Sequence, residues 1–314
     1  MKHLAHPLVI ACAVLAIAYS AAPLLDNYSL LLINLICVYA VFATGYNILM
    51  GYAGEFDFGQ AAFLALGAYG SAVVQERYGL HFSLALVCGA LVSVVAGLII
   101  GAIVLRLRHF YLALVTLAFS QTVVLVLVLW TDVTHGFQGL PVPRPQLFGL
   151  SRGVSTYLVV VTLTVVMILI AHNLVRSQLG RAFVAMRESQ IAAQSAGINL
   201  IRTRLLAYGV SAFFGGIAGG MLAMILSYIT PQGFTVFETI KVLAMIVVGG
   251  MGSLAGGVLG AIVLTFGSEL LRSSQFFQEI GFGLLLIACI ILMPDGIAGL
   301  IRRGSQRLSA RLRP

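Results

Sequence analysis

The sequence predicts an all-α, polytopic membrane protein with about eight transmembrane helices and a glycine-rich re-entrant hairpin. Of its 314 residues, 60% are hydrophobic and 9% are charged, whereas about a quarter of the residues in a soluble domain are charged. Apolar runs of about 20 residues, the length of a membrane-spanning helix, recur along the chain. Residues 1–300 are therefore predicted to form a single transmembrane domain, and residues 301–314 a basic cytoplasmic tail.

The apolar runs define the predicted spans. In chain order these are 7–25, 29–50, 57–75, 82–105, 110–131, 154–174, 203–228 and 276–294. A further apolar run, 239–270, is longer and is interrupted by glycines, namely Gly249, Gly250, Gly252, Gly256 and Gly257. The start of the chain has an alternative interpretation, because Lys2, an apolar core and small residues before position 22 are also typical of a cleaved signal peptide.

The Lys and Arg residues orient the spans, because such residues in short loops stay on the cytoplasmic side. With the N-terminus and the tail inside, 13 of the 18 lie in the cytoplasm. The tail is inside if 239–270 enters the membrane and turns back at its glycines, and outside if that run crosses once with a kink. The first arrangement is favoured, so both termini are predicted to be cytoplasmic. Irregular backbone at membrane depth needs surrounding protein or water, which predicts that the hairpin lies inside the bundle.

Two smaller patterns predict contacts between helices. Gly215, Gly216, Gly219 and Gly220 form overlapping GxxxG steps, which are typical of closely packed membrane helices. Glu238 and Lys241 are three residues apart at a predicted helix start, a spacing that indicates a local pair at the outer face.

A polar loop, 176–204, interrupts the apolar sequence, and its centre at 181–197 reads RAFVAMRESQIAAQSAG. The residues that characterise it are Arg181, Arg187, Glu188, Ala192, Ala193 and Gly197. A compact, charged, helix-forming loop between two spans indicates that a soluble cytoplasmic partner docks there. The alternative is an amphipathic helix that lies on the lipid headgroups, with its arginines on phosphates.

Three stretches resemble the branched-chain amino acid ABC-transporter permeases, specifically the M-subunit type of the Liv system. They are GYAGEFDFGQAAFLALGAY at 51–69, the polar loop with its following helix at 179–223, and the glycine-rich stretch 247–272 with 293–303. The resemblance implies a permease subunit that sits in the lipid bilayer. Its implied partners are two cytoplasmic ATPase subunits, a second and different permease subunit, and an external solute-binding protein.

The resemblance also implies a role for the polar loop. Importer permeases of this kind often carry Glu-Ala-Ala, three residues and then Gly, a pattern that fits a cleft in the ATPase. Ala192, Ala193 and Gly197 have the matching spacing, but Ile191 replaces the acidic residue. We therefore expect these small residues to dock on the ATPase, with Arg187 and Glu188 contacting the rim of the cleft.

The two glycine-rich segments are predicted to line the substrate pathway, because glycines at membrane depth expose backbone groups that need polar partners. The candidate residues are Glu55, Asp57, Gln60, Gly249, Gly250, Gly252 and Gly256. Glu55 and Asp57 depart from the family, which usually has small or apolar residues followed by Ser-x-Gly-His. A structural alternative places both carboxylates in the cytoplasmic interface, with Asp57 capping the helix that starts near Phe58.

Together these features predict a transmembrane subunit of an ATP-driven importer for branched-chain or related small polar amino acids in a bacterial-type inner membrane. The chain lacks a GxxxxGK[ST] motif, so it is expected to bind no cofactor, with ATP on the partner subunits. Neither a catalytic set, a metal site nor a nucleic-acid surface is predicted. The alternatives are a permease of the same architecture for urea, an amide or a sugar, and an ion-coupled secondary transporter, which needs a buried carboxylate.

Overall fold

The computed structural model describes residues 2–105, 107, 109–145, 151–270, 283, 296, 297 and 299. Its helices are α1 (Lys2–Ala21), α2 (Asn27–Asn47), α3 (Gln60–Tyr78), α4 (Phe82–Val104), α5 (His109–Leu129), α6 (Thr131–Thr134), α7 (Arg152–Arg176), α8 (Gln178–Glu188), α9 (Gln190–Ser195), α10 (Leu200–Leu226), α11 (Val236–Gly249) and α12 (Leu254–Leu270). A π-helical turn, Ile48–Tyr52, extends α2. Two short strands, β1 (Leu140–Pro141) and β2 (Tyr228–Ile229), pair antiparallel.

Six of the described helices are long and apolar enough to cross a membrane, which confirms a polytopic helical membrane protein. These candidate spans are Asn27–Tyr52, Phe82–Val104, Tyr111–Leu129, Arg152–Arg176, Leu200–Leu226 and Pro231–Gly249. Helix α3 matches the predicted span 57–75 in place, and the apolar part of α1 is the shorter stretch Ala11–Ala21. The predicted span 276–294, apart from residue 283, and the tail 301–314 lie outside the described residues. The count of eight crossings therefore stays a prediction.

The bundle is built around α10, which packs closely on α3 and α4 through glycines. A Cβ on Gly67 of α3 would collide with the backbone of Gly216, and one on Gly219 would collide with the carbonyl oxygen of Leu64. A Cβ on Gly216 would lie 2.8 Å from Cα of Ala90 on α4. Absent side chains therefore let three backbones approach one another. The predicted packing role of the α10 glycines is confirmed, and we call the α3–α10 contact the glycine seam.

The apolar run 239–270 folds as two helices, α11 and α12, joined by the glycine turn, which comprises residues 250–253. The helices pack tightly near this turn, because a Cβ on Gly249 would collide with the carbonyl oxygen of Gly256. Gly260 likewise touches the backbone of α11, whereas Gly252 lies in the turn itself and has a φ of +75°. Helix α12 returns alongside α2, and the Tyr28 hydroxyl donates to Glu269 at 2.8 Å. The chain thus reverses at the predicted glycines, while its position in a membrane stays a prediction.

Candidate functional site

The polar loop folds as a pair of short helices, α8 and α9, separated by Ser189. The Ser177 hydroxyl accepts from the backbone N–H groups of Leu179 and Gly180 and caps α8. The Ser189 hydroxyl accepts from Ala192 N at 3.3 Å and caps α9. Serine caps of this kind satisfy the free N–H groups at a helix start. The predicted helix-forming loop therefore contains two separate helices, each of which begins at a serine cap.

The small residues of the loop differ in exposure. Ala192 and Gly197 are exposed, and Gly197 has a φ of +81°, with nothing within 4 Å of the point that a Cβ would occupy. Ala193, by contrast, is 2% exposed and packs against its own chain. The Ile191 side chain is 80% exposed, so an apolar residue stands at the tip of the loop. Ala192 and Gly197 are accessible to a partner in this conformation, and Ala193 is not.

Arg181 and Glu188 are exposed as well, but the Arg187 guanidinium turns toward the bundle. Its Nη1 donates to the carbonyl oxygen of Gly51 in the π-helical turn at 2.5 Å. Its aliphatic stem covers Gly54, where a Cβ would lie 2.7 Å from Arg187 Cγ. The same guanidinium lies 3.0 Å from the Cβ position of Gly252. Arg187 thereby connects the polar loop to both glycine-rich segments.

Asn47 completes this connection from α2. Its side-chain Nδ2 donates to the Ser253 carbonyl oxygen at 2.7 Å, and its Oδ1 accepts from Gly252 N at 2.9 Å. The amide thus pairs with one N–H and one C=O group of the glycine turn, as a neighbouring strand would. A Cβ on Gly51 would lie 2.4 Å from the backbone nitrogen of Gly252, so glycine is required there. We call Gly51, Gly252, Asn47 and Arg187 the glycine joint.

Glu55 forms an ion pair at the end of the bundle that carries the polar loop. Its Oε1 accepts from Arg204 Nε of α10 at 2.6 Å, with both side chains largely buried. Arg204 Nη1 also donates to the Leu105 carbonyl oxygen at 3.4 Å. Beside this pair lies a cavity of about 640 Å³, between the 53–56 backbone and the polar loop residues 186–190. The pair therefore fixes one wall of a cleft that the polar loop closes from the other side.

Asp57 and Gln60 belong to a separate buried network. Asp57 is 1% exposed, and its carboxylate accepts from Gly59 N at 3.0 Å and from Gln60 Nε2. Gln60 Oε1 in turn accepts from the Ser211 hydroxyl of α10 at 3.1 Å. Asp57 thus closes a turn just ahead of α3, close to the predicted capping role, although α3 begins at Gln60. Ser211 lies near the middle of α10, so this network is well inside the bundle.

The 53–59 connection is irregular backbone held by polar side chains from several helices. Tyr46 of α2 donates to the Asp57 carbonyl oxygen at 2.5 Å, and Thr116 of α5 accepts from Phe58 N at 3.0 Å. Thr239 of α11 donates to the Phe58 carbonyl oxygen at 3.4 Å and accepts from Ala61 N, in the first turn of α3, at 2.9 Å. Protein groups thus replace the water that such backbone would otherwise need. The connection meets the starts of α3 and α11 in the centre of the bundle.

Glu238 and Lys241 occupy a place that the sequence did not predict. Both contact the hydroxyl of Tyr39, which donates to Glu238 Oε2 at 2.9 Å and accepts from Lys241 Nζ at 2.8 Å. The ammonium also lies 4.1 Å from the centre of the Tyr39 ring. Tyr39 is halfway along the span Asn27–Tyr52, not at the end. The expected direct pair is therefore wrong, because the two charges meet on a tyrosine halfway along α2; their location relative to the outer face stays a prediction.

In the part of the chain that the structure describes, no three His, Cys, Asp or Glu side chains are placed to hold a metal ion. The polar groups instead connect helices, and the accessible cleft faces the polar loop.

Comparison with known proteins gives the family. A family profile described as "Branched-chain amino acid transport system / permease component" matches residues 28–293. The chain belongs to this permease family. Over 92% of its length it is 34% identical to the high-affinity branched-chain amino acid transport system permease protein LivM of Salmonella typhimurium, covering 74% of that protein. It is 33% identical to LivM of Escherichia coli, with 94% and 75% covered.

More distant relatives include the LivH type. The chain is 25% identical to the LivH permease protein of Escherichia coli over 83% of its length and 91% of that protein. No solved structure matches the chain. The predicted resemblance to the LivM type is confirmed, and so is a membrane permease subunit. The relatives are named as permease proteins of transport systems, a description that implies partner subunits. The roles of the individual loop and pathway residues stay predictions.

Proposed function

We propose that this chain is the transmembrane subunit of an ATP-binding-cassette importer for branched-chain or related small polar amino acids. It works in a bacterial-type inner membrane with both termini in the cytoplasm. Two ATPase subunits bind and hydrolyse ATP, a second and different permease completes the route, and an external binding protein delivers the solute. The chain itself binds no cofactor. Support comes from the family and from relatives named as branched-chain amino acid transport permeases.

The observation that carries the proposal is the connection between the exposed polar loop and the interior of the bundle. The tip of the loop presents Ile191, Ala192 and Gly197 outward, as a docking element should. The base of the loop is attached by Arg187 to the Gly51 carbonyl oxygen. A helix that merely rested on lipid headgroups would have no need of this inward arginine. Movement imposed on the tip is transmitted directly to the π-helical turn and the glycine turn.

A mechanism of alternating access follows from this connection. When the ATPase subunits close on ATP, they displace α8 and α9, and the glycine joint carries that displacement to α2 and to the α11–α12 pair. The 53–59 connection moves with them through the bonds of Thr239 to Phe58 and of Tyr46 to Asp57. The cleft between this connection and the polar loop opens or narrows accordingly. ATP hydrolysis thereby alternates the side from which the solute route is accessible.

Site-specific labelling tests the docking step with a matched pair of neighbours. After the four native cysteines are replaced by serine, Ala192→Cys and Ala193→Cys are introduced one at a time. In the permease alone, we expect a membrane-impermeant maleimide to label position 192 and to spare the buried position 193. Assembly with the ATPase subunits should then protect position 192. Unchanged labelling in the assembled complex would assign the loop to the membrane surface.

Reconstitution tests the transport step. Proteoliposomes that contain the complete transporter should accumulate L-[³H]leucine when ATP and the loaded binding protein are supplied. Ionophores that collapse ion gradients should leave this uptake intact, because ATP drives it. Uptake that follows an ion gradient without ATP would favour the secondary transporter. Uptake of urea or an amide in place of leucine would mean that the proposed importer architecture is right and that its solute is not an amino acid.

A further inference from the structure

A mixed-charge cluster lies halfway along the span Asn27–Tyr52 and consists of Tyr39, Glu238 and Lys241. Glu238 and Lys241 both lie in the first turns of α11 and both remain partly exposed. Charged side chains at this depth are costly when they face lipid, so they face protein or water and mark solute routes. Because both are partly exposed in this subunit, a polar group of a solute can reach them.

Tyr39 keeps the two opposite charges apart. Its one hydroxyl proton is donated to Glu238, and a lone pair on the same oxygen accepts from Lys241. Within the described residues, the two charged groups make no direct ion pair shorter than 4.0 Å. At low dielectric such groups attract strongly, so the tyrosine prevents them from neutralising each other directly. The Tyr39 oxygen thus contacts a positively charged group, the Lys241 ammonium, and a negatively charged group, the Glu238 carboxylate.

This arrangement is complementary to a zwitterion. A free amino acid carries a carboxylate and an ammonium on one carbon, and each can pair with the opposite charge of the cluster. The Lys241 ammonium has three N–H groups and uses one on Tyr39, while the Glu238 carboxylate has a second oxygen. Each can therefore keep its bond to the tyrosine while it contacts the solute. Charge-assisted hydrogen bonds of this kind are the stronger ones in proteins.

Apolar side chains stand beside both charges. Phe237, next to Glu238, is 75% exposed, and Ile240, next to Lys241, is 41% exposed. On a helix these two residues occupy a face adjacent to that of the charged pair. An apolar side chain of a solute held by its charged end would therefore lie against Phe237 and Ile240. The cluster also borders the predicted route, because Thr239 of the same turn contacts Phe58 and Ala61.

We propose that Glu238 and Lys241, held apart by Tyr39, recognise the charged groups of an apolar amino acid at the middle of the translocation route. Lys241 binds the solute carboxylate, Glu238 binds its ammonium, and Phe237 with Ile240 receives the side chain. This site rests on the proposed importer function and names the feature of the solute that the permease itself reads. Urea and neutral sugars lack both charges and do not fit it.

Uptake by the complete transporter in proteoliposomes, with binding protein saturated by L-[³H]leucine, tests the site. The variants are Glu238→Gln, Lys241→Met and the two changes combined. We expect uptake to fall at least tenfold in each single variant and to fall at least as far in the double variant. Assembly, measured by co-purification of the partner subunits, should be retained. Lys241→Arg, which keeps the positive charge, should retain more uptake than Lys241→Met.

The double variant separates recognition from a structural role. If the charges only stabilise each other, a single change leaves one charge unpaired and the double change restores uptake; that rescue would overturn the proposal. Failure of all three variants to assemble would likewise assign the charges to folding and overturn it. Glu76→Gln makes the same carboxylate-to-amide change near His135, away from the cluster, and should leave uptake unchanged.

The proposed function and this site fail in different ways. If the wild-type transporter moves no leucine, the cargo of the proposed function is wrong. If it moves leucine and both single variants move it at the wild-type rate, the function stands and the site does not exist.

Discussion

The glycine seam and the glycine joint use the same residue for opposite purposes. At the seam, Gly67 and Gly219 lie within regular helices, and the missing side chains only let backbones approach. At the joint, Gly51 and Gly252 lie where helices end, and side chains of Asn47 and Arg187 hold their backbone groups. The seam is a broad helix–helix contact, in which Gly67 and Gly219 lie directly against the backbone of the facing helix. The joint depends on a few hydrogen bonds, so exchanging the partners of those bonds costs less free energy than separating the helices of the seam.

This difference teaches that the number of glycines in a membrane helix does not reveal their role. The polar side chains around each glycine reveal it. A glycine pressed against another backbone fixes the distance between two helices, whereas a glycine whose backbone is bonded by a side chain from a distant loop is attached to that loop. Substitutions in the two regions should therefore fail in different assays.

The largest effect is expected at the seam. Gly67→Ala adds a Cβ that collides with the Gly216 backbone, and overpacking of this kind costs typically about 1–3 kcal/mol and occasionally more. We predict loss of the monodisperse peak in size-exclusion chromatography or a large fall in Tm. Gly233→Ala is the matched control, because nothing lies within 4 Å of its Cβ position. Equal stability of both variants would show that the helices at the seam can move apart freely.

The next effect is expected at the joint, in coupling rather than in folding. Arg187→Met keeps an unbranched stem over Gly54 and removes the donor to Gly51. We predict an intact complex whose leucine uptake and binding-protein-stimulated ATP hydrolysis fall at least tenfold. Arg202→Met, at an exposed arginine near the start of α10, serves as the control. A normal rate in Arg187→Met would reduce the joint to a packing contact.

A smaller effect on stability is expected from Asn47→Ala. The change leaves the Gly252 N–H and the Ser253 carbonyl, which are partly buried, without their side-chain partner, and an ordinary hydrogen bond is worth about 0.5–1.5 kcal/mol. We predict a lower Tm together with slower uptake, because the glycine turn loses its attachment to α2. Thermal unfolding measured on the purified complex checks this, with Asn34→Ala as a change of the same type elsewhere on α2. A Tm equal to that of the wild type would indicate that water replaces the amide.

The smallest effect is expected from Asp57→Asn. The new amide can donate to Gln60 Oε1, and Gln60 can then donate to Ser211, so the buried network survives with its donors reversed. We predict leucine uptake within about threefold of the wild type, since one neutral hydrogen bond is worth about 1 kcal/mol. The measurement also bears on an ion-coupled mechanism, which requires the carboxylate. Abolished uptake in a correctly assembled Asp57→Asn transporter would favour that mechanism.

The sequence predicted those features that local patterns determine. Apolar runs predicted the membrane helices, the interruption at Gly249–Gly257 predicted the reversal between α11 and α12, and the α10 glycines predicted close packing. The inward turn of Arg187 was not predictable, because its partner Gly51 is 136 positions away. Lys241 meets Tyr39 across 202 positions, whereas the i,i+3 spacing of the two charges suggested a local pair. The available signal for a distant polar partner was the presence of two charged residues, Glu238 and Lys241, at the start of an apolar run.

The distance between the glycine turn and the C-terminal end of α3 tests the transmission of loop movement most directly. Spin labels are placed at Met251 and Tyr78, which are both exposed, and pulsed electron paramagnetic resonance measures their separation in the full transporter. In the wild type, we predict that ATP binding shifts this distance. In Arg187→Met, the shift should disappear although the ATPase subunits remain bound. An identical shift in both proteins would contradict transmission through the glycine joint.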